Sequence, residues 1–144
     1  MPDAPDQARW VLVVDDDPLI RDTVTEILEE SGYRVATAAH GKDALNVLQQ
    51  GPRPDAIILD LMIPKKDGVE VCRWLRQNRI QTPVIMLTAE HDVKLAVRAI
   101  QLGAFDYQTK PIDQDEIVLA VRRALETRAL RTEVVELRRR LGEG

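Results

Sequence analysis

Residues Trp10 to Asp17 read WVLVVDDD, five apolar β-formers that stop abruptly on three carboxylates. A run apolar at every position, rather than at alternate ones, is what a strand buried on both faces requires. Pro18 follows the acids and suits the first position of a helix. Ile20, Val24, Ile27 and Leu28 then recur at helical spacing, and Gly32 stands where a C-terminal cap belongs. Strand, acidic turn and helix form one β-α unit.

The same unit repeats along the chain. Tyr33–Ala38 reads as a second strand and Lys42–Gln50 as a helix closed by Gly51 and Pro52. Ala56–Leu59 (AIIL) is another buried strand, followed by a helix over Asp67–Gln77 with Val71, Leu75 and Trp74 inward. Pro83–Leu87 (PVIML) and a helix over Val93–Leu102 form the fourth unit. Phe105–Gln108 is a short fifth strand, and Asp113 opens a long last helix with Ile117, Val121 and Ala124 inward. Five strands alternating with five helices predict an α/β fold: a single doubly wound parallel sheet, its crossovers right-handed and its two faces covered.

The chain's 144 residues allow one such domain. With 44% hydrophobic and 31% charged residues, a chain disordered throughout is excluded. No apolar run approaches the ~20 residues of a membrane span, and the first residues read as no secretory signal. Cys72 is the single cysteine, so no internal disulfide or zinc cluster can form, and a cytoplasmic location fits. Aromatic residues at 3% argue against a base-stacking platform. The net charge is −4, yet residues 122–144 carry +3, so an acidic body bears a basic tail.

Parallel sheets bind ligands beyond the C-terminal ends of their strands. Asp15, Asp16 and Asp17 follow the first strand, Asp60 the third, Thr88 the fourth, and Lys110 the fifth. Each has a bland alternative. Asp17 reads best as the helix cap, Thr88 could cap a helix, and Lys110 alone could be a surface residue. Asp60, a charge between two apolar runs, wants a partner. Together they call for a hard divalent cation, because like charges this close do not all stay ionised unaided. Mg²⁺ keeps room for a phosphate oxygen, Lys110 adds a point charge, and a carboxylate can act as nucleophile. The set reads as a phosphoryl site.

At these residues the chain resembles a two-component response-regulator receiver domain. LVVDDD (12–17), DAIILDLMIPKKDG (55–68), PVIMLTA (83–89) and GAFDYQTKP (103–111) carry the resemblance, which spans residues 10 to about 126. It implies a flavodoxin-like strand order, 2-1-3-4-5. It implies that Asp60 accepts a phosphoryl group from a sensor histidine kinase. Asp15, Asp16, Asp60 and the Met62 backbone carbonyl would hold Mg²⁺, and Lys110 would pair with phosphoryl oxygens. Thr88 and Tyr107 would be the switch residues, altering the face built by the fourth helix, fifth strand and fifth helix. Lys66 and Gln108 depart from the usual pattern without touching the acid cluster. Glu90 stands where it could affect the approach of water to the phosphate.

The receiver is expected over residues 10–126, after a flexible segment 1–9, with 127–144 a helical linker or coiled-coil extension. Leu130, Val134, Leu137 and Leu141 are spaced 4, 3, 4, a short seam that suits a homodimer. The face of helix 4, strand 5 and helix 5 is the other expected dimer surface. The tail and AFDYQTKP are similar to receivers of NtrC-type transcriptional activators, in which this helix leads through a linker into an ATPase domain; the chain is then either a piece of a longer regulator with an output domain or a stand-alone receiver. No reading helix supports direct nucleic-acid binding by this chain. On this reading the protein is no turnover enzyme but a stoichiometric phosphoacceptor, self-catalysing its phosphotransfer and dephosphorylation.

Other classes read less well. A haloacid-dehalogenase-type phosphatase needs more than the Asp-x-Asp formally present in Asp15–Asp17, and it would hydrolyse an external ester. A flavodoxin would need a phosphate loop where these carboxylates repel phosphate. A receiver-like interaction domain that is never phosphorylated would have no use for the acid cluster. Cys72, Trp10 and Trp74 read as packing residues, and His40 and His91 as surface residues.

Overall fold

The computed structural model describes residues 9–60, 65–88 and 93–142; within helices, 65–67, 69, 93, 95, 96, 99, 129, 131–133 and 135 are described by backbone alone. Ten elements alternate: β1 Trp10–Val14, α1 Pro18–Glu30, β2 Arg34–Ala38, α2 Gly41–Gln50, β3 Ala56–Asp60, α3 Lys65–Gln77, β4 Val84–Thr88, α4 Val93–Gln101, β5 Asp106–Thr109 and α5 Gln114–Arg140. The strands form one parallel sheet in the order β2-β1-β3-β4-β5. This is the expected doubly wound, flavodoxin-like sheet.

Alternate residues of the central strands feed two cores. Leu12, Val14, Ile57, Leu59, Val84 and Met86 meet Ala44 and Leu48 of α2 and Val71, Cys72 and Leu75 of α3. Val11, Val13, Ile58, Ile85 and Leu87 meet Val24, Ile27 and Leu28 of α1 and Ile117, Val121, Ala124 and Leu125 of α5. Because both faces are covered, β1, β3 and β4 are apolar along their length up to Asp60 and Thr88, which end β3 and β4. Removing one such side chain, as in Leu12→Ala, costs about 2–5 kcal/mol in a packed core.

Local signals set the helix ends. Asp17 caps α1, its Oδ1 accepting from Leu19 N at 2.9 Å, with Pro18 in the first turn. Gly32 follows that helix at φ +95°, a conformation that favours glycine. Asp113 caps α5 through Glu116 N at 3.0 Å. Asp115 and Glu116 then lie at the positive end of the α5 dipole, and Arg138–Arg140 at its negative end. α5 runs unbroken to Arg140, leaving Leu130, Val134, Leu137 and Leu141 exposed. Arg128 Nη1 ties it back to Asp55 Oδ1 at 2.8 Å, and Asp55 Oδ2 accepts from Trp10 N at 2.9 Å.

Boundaries shift slightly. Asp60 and Thr88 are the last residues of β3 and β4 rather than the first beyond them, and β5 lies one residue later than its pattern suggests. α3 begins two residues before Asp67. His40 caps α2 and pairs with Asp43 at 3.4 Å, a structural task beyond the surface role its sequence suggested.

Candidate functional site

Strand register brings the polar residues together. Val14 lies opposite Leu59, so the next residues, Asp15 and Asp60, end adjacent strands. They follow the alternation of Val13 and Ile58, and so share the face covered by α1 and α5. Thr88 pairs with Thr109 at the next position across the sheet. Lys110 N then donates to Thr88 O at 2.9 Å, which fixes the chain where the lysine side chain leaves it. In the order β2-β1-β3-β4-β5 the direction of strand addition switches between β1 and β3, where the two acids sit.

Asp15 and Asp60 are completely buried. Lys110 Nζ lies 3.2 Å from Asp15 Oδ2 and 3.2 Å from Asp60 Oδ2. Burial works to lower the pKa of this amine; the Asp60 and Asp15 carboxylates outweigh it and hold the value above the ordinary 10.5. Asp15 is anchored further: its Oδ1 accepts from Asp17 N at 2.9 Å, and its carbonyl accepts from Arg21 Nη1 at 2.7 Å. Asp16 is exposed at the rim. One carboxylate oxygen from each of Asp15, Asp16 and Asp60 lies within 4.8 Å of the other two.

This donor set fits a divalent cation. Three carboxylates stand against one ammonium, so the cluster holds more acidic than basic groups. Oxygen ligands, two of them buried and one open to solvent, suit Mg²⁺. Thr88 is buried at the same edge, whereas Tyr107 is 40% exposed on β5. Met62, Glu90 and His91 lie outside the described residues.

The sequence reasoning singled out the acids, the hydroxyl and the amine because each lies at or just past a strand end, and the fold brings Asp15, Asp60, Thr88 and Lys110 to one end of the sheet. It missed Arg21, whose contact is with a backbone carbonyl and leaves no trace in residue pattern. The Lys110–Pro111 peptide is cis. Among the described residues, no helix is long and apolar enough to cross a membrane.

Comparison with known proteins names this arrangement. Residues 11–122 match the family model of the response regulator receiver domain, and the chain belongs to that family. It is 44% identical over 115 residues to the alkaline phosphatase synthesis transcriptional regulatory protein PhoP of Bacillus subtilis, covering 80% of this chain and 48% of that protein. It is 34% identical over 131 residues to the regulatory protein AtoC of Escherichia coli, covering 91% and 28% respectively. The chain thus spans about half the length, or less, of these relatives. Among solved structures, NtrX from Brucella abortus superposes with a TM-score of 0.86 at 35% identity, over 95% of this chain and 30% of that one. The signal receiver domain of a Luxo repressor protein from Vibrio parahaemolyticus gives 0.80 at 34% identity, over 88% and 97%.

Proposed function

We propose that this receiver is a stoichiometric phosphoacceptor in which Asp60 takes a phosphoryl group from a phosphohistidine of a sensor histidine kinase. The observation that carries this reading is the pair of fully buried carboxylates, Asp15 and Asp60, sharing Lys110 at 3.2 Å. A carboxylate oxygen of Asp60 attacks phosphorus, the P–N bond breaks, and the imidazole nitrogen leaves with the electron pair. Phosphoryl transfer asks the protein mainly for positioning and charge neutralisation. Lys110 supplies charge to the phosphoryl oxygens, and Asp15 holds Lys110 in place. Asp15, Asp16, Asp60 and the Met62 carbonyl are the ligands we assign to Mg²⁺, which supplies further charge neutralisation when bound. Water later hydrolyses the acyl phosphate in the same site.

The phosphoryl group adds about −1.5 to −2 charge and new acceptor oxygens beside Thr88. The Thr88 hydroxyl and Lys110 ammonium gain contacts that exist only in the modified state, and such differential contacts move a two-state equilibrium. Tyr107 turning inward behind Thr88 would alter the face formed by α4, β5 and α5. That face, or the exposed seam Leu130, Val134, Leu137 and Leu141, is the surface we assign to a homodimer. We assign residues 10–126 to the receiver and 127–144 to a helical linker toward an output domain, with transcription regulation in the cytoplasm as the setting.

Intact-mass spectrometry after treatment with acetyl phosphate tests the chemistry. A gain of one phosphoryl group that needs Mg²⁺, fails with chelator and is absent from Asp60→Asn is expected. Retained phosphate in Asp60→Asn would move the acceptor elsewhere. For the dimer seam, truncation after Ala129 is expected to weaken self-association in sedimentation, and unchanged sedimentation would remove the seam from the assignment.

A further inference from the structure

The last turns of α3 and α4 enclose a groove of about 340 Å³, on the sheet edge opposite the carboxylates. Arg73 and Arg76 of α3 and Arg98 of α4 line it, over a floor of Cys72 and Leu102. Among the described residues, none of the three guanidinium groups makes an ion pair, although the whole chain carries −4. Nor does the floor neutralise them: burial pushes the Cys72 thiol up to about 11, against the pull of Arg76, so it is uncharged at neutral pH. Arg76 is already held, its Nη2 donating to Leu102 O at 3.0 Å and lying 3.2 Å from where a side chain on Gly103 would begin. Proximity to helix C-termini accounts for a cation at Arg76 and at Arg98. It does not account for three in one groove, since like charges sharing a concavity repel.

We propose that the α3–α4 groove binds a compact polyphosphate anion through Arg73, Arg76 and Arg98. The donor count selects this class. Each guanidinium offers five N–H groups in a planar fork, and only one donor of Arg76 is engaged at Leu102. A single carboxylate has two oxygens and satisfies one fork; a di- or triphosphate presents enough terminal oxygens for three. All three residues are arginine rather than lysine, which favours bidentate recognition of phosphate over a diffuse positive field. A groove of this size lies within the range that small ligands fill.

Calorimetric titration of the full chain with inorganic triphosphate, in metal-free buffer of low salt, tests the proposal. One binding event per chain is expected, weakened by at least about tenfold in Arg73→Gln/Arg98→Gln. Arg34→Gln/Arg122→Gln changes net charge equally at distant exposed positions and is expected to bind as the parent does. Matching far-UV spectra and urea midpoints would show that both pairs remain folded. Absence of binding by the parent, or equal weakening in the two double variants, would overturn the site. A nucleoside triphosphate is the second probe: tighter binding than inorganic triphosphate assigns the anion to a nucleotide, and equal binding assigns it to the phosphate chain alone.

Discussion

Lys110→Met removes the cation that two buried carboxylates share, and the structure sets the scale of the effect. Each pair is 3.2 Å apart, which gives a gross attraction of about 5 kcal/mol at an effective dielectric of ~20. The lysine side chain is 23% exposed, so solvent screens part of this, and desolvation of the ammonium offsets more. Breaking a buried pair while leaving its partner costs ~3–5 kcal/mol, and the lower end applies here. A loss of ~3 kcal/mol corresponds to a Tm lower by roughly 10 °C in a domain of this size. Urea unfolding followed by tryptophan fluorescence, at pH 7.5 with chelator, measures it. A divalent cation also relieves the repulsion, so Mg²⁺ stabilises the variant more than the parent, with about 2.7 kcal/mol available at a hundredfold excess over Kd. Lys94→Met, an exposed control on α4, should change stability by less than about 0.5 kcal/mol. A Lys110→Met protein as stable as its parent, or a deficit indifferent to Mg²⁺, would refute the reasoning.

Cys72 should resist alkylation: with its pKa pushed up to about 11 from 9.0, its thiolate fraction at pH 8 falls about 100-fold, readable as the rate with a maleimide or aromatic disulfide. The same shift has a sign in stability. The unfolded thiol ionises first, so the contribution is complete below pH 9, is lost as pH rises to about 11, and totals about 3 kcal/mol; Cys72→Ala should lack that part of the slope. Arg79 holds a left-handed backbone at φ 55° just after α3, where glycine is at ease. Arg79→Gly is therefore expected to raise the unfolding free energy by ~0.5–1 kcal/mol, and an unchanged or lower urea midpoint would count against that account.

What could be read beforehand depended on where each constraint acts. β1, β3 and β4 are buried on both faces, so their apolar runs survive in sequence as continuous blocks. β5 (DYQT) sits at the sheet edge with alternate residues exposed, and its pattern blurred enough to move it by one residue. Asp60 stood out because a charge inside apolar sequence demands a partner; that the partner is Lys110 depends on strand order, which the family resemblance rather than residue spacing implied. Asp17 was legible as a cap because capping is local. The ties Arg128–Asp55 and Arg76–Leu102 join residues far apart in the chain and had no local signature. Arg21, reaching a carbonyl of Asp15, was hidden for the same reason.

α5 is built as a cantilever. Its 27 residues make a rod of about 40 Å, and the stretch from Arg128 to Arg140 is about 18 Å of it. Ile117, Val121 and Ala124 clamp the first half in the core, and the Asp55–Arg128 bond holds the helix where it leaves. A bend of about 10° beyond that point would carry the far end through about 3 Å, more than half the pitch of a helical turn. A deflection that leaves the packed core in place would then decide whether Leu137 and Leu141 meet a matching surface.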